Sequence, residues 1–170
     1  KAFIVTGRHI AVSDMMKKLT ALLDEEGIGY VIFNGITGEP DDVMINNGVK
    51  MLKESDCDFI IGIGGGSPLD SAKAIAAMAV NDGSIADFSG KEITGEILPL
   101  AAIPTTAGTG SEATKFTVIT DSKKQIKMLL KGDVLVPKLA IVDSEFTVDA
   151  PKSVTAATGL DALTHAVEAY

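Results

Sequence analysis

The sequence predicts an α/β fold: a doubly wound, mostly parallel sheet with an appended β-hairpin and the start of a helical C-terminal segment. Two patterns carry that expectation. Apolar runs such as Phe59-Ile60-Ile61 and Leu100-Ala101-Ala102-Ile103 show no polar alternation, as expected of strands covered on both faces. Stretches with helical spacing separate them, and this alternation requires right-handed βαβ crossovers.

The elements follow in order. Ala2–Thr6 reads as the first strand, and Gly7-Arg8-His9 leads into an amphipathic helix over roughly 12–26, with Met15, Met16, Leu19, Leu22 and Leu23 on its apolar face and Gly27 ending it. Gly29–Phe33 gives a second strand. Pro40-Asp41-Asp42 opens a helix running to about Glu54. Phe59–Ile63 is the third strand, and a helix follows its glycine turn. Polar surface loops around 81–84 and 89–92 precede a buried strand over 98–103. Phe116–Thr120 and Gln125–Leu130 form a hairpin, Leu139–Val142 returns as a strand, and Pro151 opens a helix that Gly159 interrupts or restarts before Leu160–Tyr170.

The chemistry centres on Gly62-Ile63-Gly64-Gly65-Gly66-Ser67. Gly64, Gly65 and Gly66 remove every Cβ from the turn, which permits positive φ and leaves the backbone N–H groups open to a ligand. Ser67 is placed as N-cap, Pro68 at the first helical position, and Asp70 in the first turn near the positive helix end. Unpaired N–H groups at such an end make a phosphate cradle. Ser67 at the sixth position departs from the common dinucleotide fingerprint, so a plain strand-to-helix turn is the competing reading.

Composition limits the partners. The 170 residues carry 15 Lys and Arg against 23 Asp and Glu, a net charge of −8, which argues against nucleic acid or acidic membranes and makes any anion site local. No apolar run is long enough to span a membrane. The single cysteine, Cys57, excludes an internal disulfide and suits a reducing, cytoplasmic setting; a small buried residue beside a strand is its reading. Lys1 opening directly on a core strand, with Tyr170 in mid-helix, suggests a fragment of a larger protein.

Two further constellations stand out. Asp161 and His165 lie four apart on an expected helix, so both project from one face and offer a hard oxygen and an imidazole to a divalent metal. A first-turn acid and a surface histidine are the alternative, because two ligands do not close a site. The stretch 104–112, rich in Thr and Gly, reads either as a ligand-facing loop offering Thr105, Thr106 and Thr109, or as a polar cap on the sheet.

Taken together, four stretches resemble the iron-containing, metal-dependent (group III) alcohol dehydrogenase family: 1–6, 58–74, 103–112 and 156–170, the last containing Ala156-Ala157-Thr158-Gly159-Leu160-Asp161-Ala162-Leu163-Thr164-His165. The resemblance implies a Rossmann-like dinucleotide-binding domain over 1–150, with 151–170 as the first helix of a helical metal-binding domain. It implies that Gly64, Gly65, Gly66 and Ser67 hold a pyrophosphate and that Asp70 lies near the nicotinamide. It also implies that Thr105, Thr106 and Thr109 line the cofactor cleft, that Lys127 reaches a ribose, and that Asp161 and His165 are two of four protein ligands to Fe²⁺ or Zn²⁺. Gly7 followed by Arg8 departs from the aspartate that many NAD-using members place after the first strand. Glycine admits a 2′-phosphate there and arginine can grip it, so the expected cofactor is NADP, with NAD as the alternative. The implied partners are a small alcohol or aldehyde substrate and a second copy of the chain in a homo-oligomer. An inactive nucleotide-binding module, or a relative of glycerol dehydrogenase or dehydroquinate synthase, is the competing assignment.

Overall fold

Ala2-Phe3-Ile4-Val5 is buried on both faces because it forms an interior strand of a five-stranded parallel sheet. The computed structural model describes residues 1–170. In chain order the elements are β1 (Ala2–Gly7), the one-turn α1 (Arg8–Ala11), α2 (Asp14–Glu25), β2 (Tyr30–Ile36), α3 (Asp42–Lys53), β3 (Phe59–Gly64), α4 (Gly66–Met78), β4 (Leu100–Pro104), β5 (Phe116–Asp121), β6 (Ile126–Lys131), β7 (Leu139–Ala140) and α5 (Lys152–Glu168). The sheet order is β2-β1-β3-β4-β7. From β1 the chain steps to β2 on one side and comes back to β3 on the other. That reversal leaves a crevice beyond the carboxyl ends of β1 and β3, where Gly7 and Gly64 lie.

Each face of the sheet has its own core. Phe3, Val5 and Ile60 pack with Ile45 and Leu52 of α3 and Ile75 of α4; Phe3 stacks on Phe33 with centroids 6.1 Å apart. Ala2, Ile4, Ile61, Ile63 and Ile103 pack on the other side with Met16 and Leu23 of α2. The strict alternation of residues 2 to 5 between the two clusters is the period of two that a pleated strand imposes.

Helix α4 is buried almost all round, and its run of small residues explains how. Ala72 packs so close to β3 that a Cβ on Gly62 would lie 2.8 Å from the Ala72 Cβ. Lys73, fully buried on this helix, donates from Nζ to the carbonyls of Thr114 (2.7 Å) and Phe116 (2.9 Å) and to Thr114 Oγ1 (3.0 Å). All three ammonium protons are therefore used, which is the condition for burying such a group.

Several local expectations are corrected. The helix expected over 12–26 is α2 (Asp14–Glu25), capped by Ser13, whose Oγ accepts from Met16 N at 3.3 Å; the one-turn α1 ahead of it was not expected, and Leu22, placed on the apolar face, is exposed. The second strand runs from Tyr30 to Ile36, and the last one covers only Leu139–Ala140. Helix α4 starts at Gly66 with Gly65 as its N-cap, so neither Ser67 nor Pro68 holds the position expected from capping preference. Of the three turn glycines only Gly64 has positive φ, at 147°. Gly159 does not interrupt α5, which is continuous and ends at Glu168. The hairpin β5–β6 is a sheet of its own, and its strand-type pairing with the rest is limited to the isolated bridges Asp41↔Thr120 and Glu92↔Lys131. Cys57 is half-buried and donates to the Ala2 carbonyl at 3.3 Å. No helix is long and apolar enough to cross a membrane.

Replacing Lys73 by Met removes the donor to the Thr114 and Phe116 carbonyls and is expected to cost about 3 kcal/mol of stability, measured by denaturant unfolding at neutral pH. Burial lowers the Lys73 ammonium from 10.5 to about 8. The unfolded chain therefore binds that proton more tightly, and the Lys73 contribution to stability rises as pH increases from 8 towards about 10. The difference in unfolding free energy between wild type and Lys73→Met, followed across that range, checks the sign.

Candidate functional site

The turn that follows β3 is built against the loop that follows β4. Thr105 N donates to the Gly64 carbonyl at 2.9 Å, and a Cβ on Gly65 would meet Thr106 Cγ2 and Oγ1 at 3.3 Å. A Cβ on Gly66 would lie 2.9 Å from Thr109 Cγ2. The missing side chains thus serve close packing as well as ligand access, and the threonine loop is the backing of the turn. Ahead of it, the N–H groups of Gly66 and Ser67 have no intrahelical acceptor, being in the first turn of a 13-residue helix. A backbone cradle at a helix N-terminus fits a phosphate.

Two clefts flank this turn. The larger, about 480 Å³, is lined by Gly66, Ser67, Asp70, Thr109, Lys127, Asp161 and His165, among others. The smaller, about 220 Å³, lies on the other side against His9, Ser13, Thr105, Thr106, Phe146 and Val154. The three threonines are therefore divided: Thr109 faces the larger cleft, Thr105 and Thr106 the smaller. Gly7 and Arg8 line neither. Arg8 is exposed and makes no ion pair, and its neighbour His9 is the residue of that turn that reaches the smaller cleft. Next to Gly7, Thr6 Oγ1 is a buried hydroxyl with no hydrogen-bond partner.

Asp70 sits in the larger cleft but is not a helix-dipole partner in the first turn. It is the fifth residue of α4, and its Oδ2 accepts from Val118 N of the hairpin at 2.8 Å. Burial raises its pKa above the ordinary carboxylate value, against the opposing effect of the Val118 and Ser111 hydrogen bonds and the Lys73 charge. Protonation is thereby eased in a carboxyl group beside an anion cradle. Lys127 Nζ pairs with Glu39 Oε1 at 2.6 Å at the cleft rim, both side chains being about two-thirds exposed (62% and 67%).

Asp161 and His165 do share one face of α5, with Nε2 3.7 Å from Oδ1, and both open onto the larger cleft. A carboxylate oxygen and an imidazole suit Fe²⁺ or Zn²⁺. No third His, Cys, Asp or Glu stands with them, so this chain supplies at most two ligands of a tetrahedral set.

Beyond Lys127, the hairpin supplies a wall that sequence reasoning did not place in the site. Phe116, Val118 and Thr120 of β5 face the cleft beside Lys127 and Leu129 of β6, whereas Thr117, Ile119, Asp121, Met128 and Leu130 are buried beneath. The alternation of these strands was the available signal. Glu39, Ser111 and Thr114 line the same cleft with no sequence signal of their own.

A switch-point glycine turn at a helix N-terminus, in a parallel sheet with an appended hairpin, defines a Rossmann-like α/β domain. Residues 1–144 match the iron-containing alcohol dehydrogenase family, and the chain belongs to that family. It is similar to the NAD-dependent methanol dehydrogenase of Bacillus methanolicus, 42% identical over all of this chain and 45% of that protein. Among solved structures, a 1,3-propanediol oxidoreductase superposes with a TM-score of 0.94 at 35% identity, covering 98% of this chain and 44% of the other. The sulfoacetaldehyde reductase of Bifidobacterium kashiwanohense in complex with NAD⁺ gives 0.91 at 34% identity, over 100% and 45% of the two chains. The chain spans about half the length of the relatives that it matches.

Substituting Gly66 by Val drives a branched side chain into Thr109 and tilts the cradle N–H groups. The expected outcome is an affinity for NADH or NADPH lower by about tenfold, or about 1.4 kcal/mol, with an unchanged circular dichroism spectrum. Titration of dihydronicotinamide fluorescence measures it.

Proposed function

We propose that this chain is the cofactor-binding half of a metal-dependent alcohol dehydrogenase that moves hydride between NAD(P) and a small alcohol or aldehyde. On this reading residues 1–150 bind the dinucleotide and 151–170 begin a helical metal-binding domain. One observation carries it: Asp161 and His165 open onto the same cleft that begins at Gly66 and Ser67, so a metal pair and a phosphate cradle share one cavity.

The roles follow from the positions. The Gly66 and Ser67 N–H groups bind the pyrophosphate, backed by Thr106 and Thr109. Lys127 reaches a ribose from the hairpin wall, and Thr105 and Thr106 border the smaller cleft for the rest of the nucleotide. Asp161 and His165 hold a divalent Fe²⁺ or Zn²⁺ together with ligands outside this chain, and that ion supplies a Lewis acid that polarises the alcohol oxygen and lowers its pKa. The walls of the larger cleft, Phe116, Val118 and Leu129, shield the reacting atoms from water.

The likeness to the NAD-dependent methanol dehydrogenase and to the sulfoacetaldehyde reductase in complex with NAD⁺ favours NAD. Gly7-Arg8, at the carboxyl end of β1 and next to His9 of the smaller cleft, favours a 2′-phosphate. We therefore propose a preference for NADP(H). NADPH is expected to bind about tenfold more tightly than NADH, and Arg8→Ala to remove most of that margin. Comparison of the two dissociation constants decides; equal or tighter binding of NADH refutes the preference.

Because only two metal ligands stand together here, the chain alone acts as a nucleotide-binding module. Alcohol-dependent NAD(P) reduction with added Fe²⁺ or Zn²⁺ is expected to be undetectable while NAD(P)H binding is retained, and robust turnover would sink that reading.

A further inference from the structure

Helix α5 carries the metal pair, yet very little holds it. None of its 17 residues is buried, and it makes no hydrogen bond or salt bridge to the rest of the chain. Its inner stripe is Val154, Thr158, Asp161 and His165, spaced as one helix face. Val154 lines the smaller cleft, Asp161 and His165 line the larger one, and Thr158 falls between them. At that midpoint the helix backbone meets Gly108: a Cβ there would lie 2.5 Å from the Thr158 carbonyl oxygen and 2.9 Å from its Cα. Gly108 is also the neighbour of Thr109, which backs Gly66 of the phosphate turn.

We propose that Gly108 is a positioning residue, setting the span between the phosphate turn and the Asp161–His165 pair. The chain of contacts is short and rigid: Gly66 on Thr109, Gly108 on the Thr158 backbone, and Asp161 one turn further along α5. Any side chain at 108 meets main-chain atoms, which cannot step aside by changing rotamer. The threonine loop is tied to the sheet through Thr105 N and the Gly64 carbonyl, whereas α5 is not tied at all, so the helix is the partner that yields. Its displacement moves both metal ligands away from the cleft while the cradle stays in place. This inference rests on the dinucleotide reading for its functional meaning but not for its geometry.

The test uses Gly108→Ala and Gly108→Val. Amide exchange by mass spectrometry is expected to accelerate in residues 152–168 by about tenfold in the Val variant, less in the Ala variant, and not at all in the parallel sheet. Unchanged exchange in α5, or equal acceleration throughout the fold, overturns the proposal, the latter because it marks general destabilisation. The chain has two histidines, His9 and His165, one in each cleft, so their imidazole NMR signals report position directly. On adding NADH, both signals are expected to move in the wild type. Only His9 responds in Gly108→Val, and a wild-type response from His165 in that variant also overturns the proposal. Should neither signal move in the wild type, the dinucleotide reading fails, and the exchange data alone uphold or overturn the role of Gly108.

Discussion

A side chain on Gly65 or Gly66 would run into Thr106 or Thr109, and that closeness governs the whole carboxyl end of the sheet. The turn after β3 and the loop after β4 are two layers of one surface, joined by the hydrogen bond from Thr105 N to the Gly64 carbonyl. Because the layers touch, the helix N-terminus is held at a fixed height above the sheet, and the two clefts fall to either side of it. The backbone N–H groups of Gly66 and Ser67, aligned by the helix, make a local positive field that the net charge of −8 does not cancel.

The next constraint is the hold between α4 and the hairpin. Lys73 spends all its protons on Thr114 and Phe116, Thr117 Oγ1 donates to the Asp70 carbonyl at 2.8 Å, and Asp70 Oδ2 accepts from Val118 N. One helix therefore presents the free N–H groups of Gly66 and Ser67 at its start and anchors the cleft wall two turns later. The sheet β5–β6 needs this anchorage, since a two-stranded ribbon is marginal by itself in water. Its buried face supplies Ile119, Met128 and Leu130 to the main core, and its other face becomes the wall of the site.

Against these tightly bonded parts, α5 is a lightly docked element, resting across both clefts. The element that bears Asp161 and His165 is thus the one least determined by packing within this chain. Its outward residues Leu160, Leu163 and Val167 are 58% to 67% exposed. Beneath it, Gly108 of the threonine loop lies against the Thr158 backbone, one turn before Asp161.

Composition and periodicity by themselves determined the strands, the helices and their alternation, because burial on two faces leaves a run such as Ala2-Phe3-Ile4-Val5 no polar alternative. Spacing alone also put Asp161 and His165 on one helix face, a consequence of 3.6 residues per turn. The glycine turn was legible as a free helix N-terminus, but its cause was only half visible: what the missing side chains of Gly65 and Gly66 would strike, Thr106 and Thr109, comes from the loop after β4. The same is true of Asp70, assigned to the helix dipole by its sequence position and taken instead by Val118 N, and of Ser67, whose capping role passed to Gly65. Lys73 looked like any helix lysine, and only the arrival of the hairpin carbonyls buried it. Local pattern decides what a segment becomes, since backbone geometry repeats over a few residues. Which polar group meets which, and which helix is held fast and which merely rests, is decided by contacts between distant segments, and for those the tertiary structure was required.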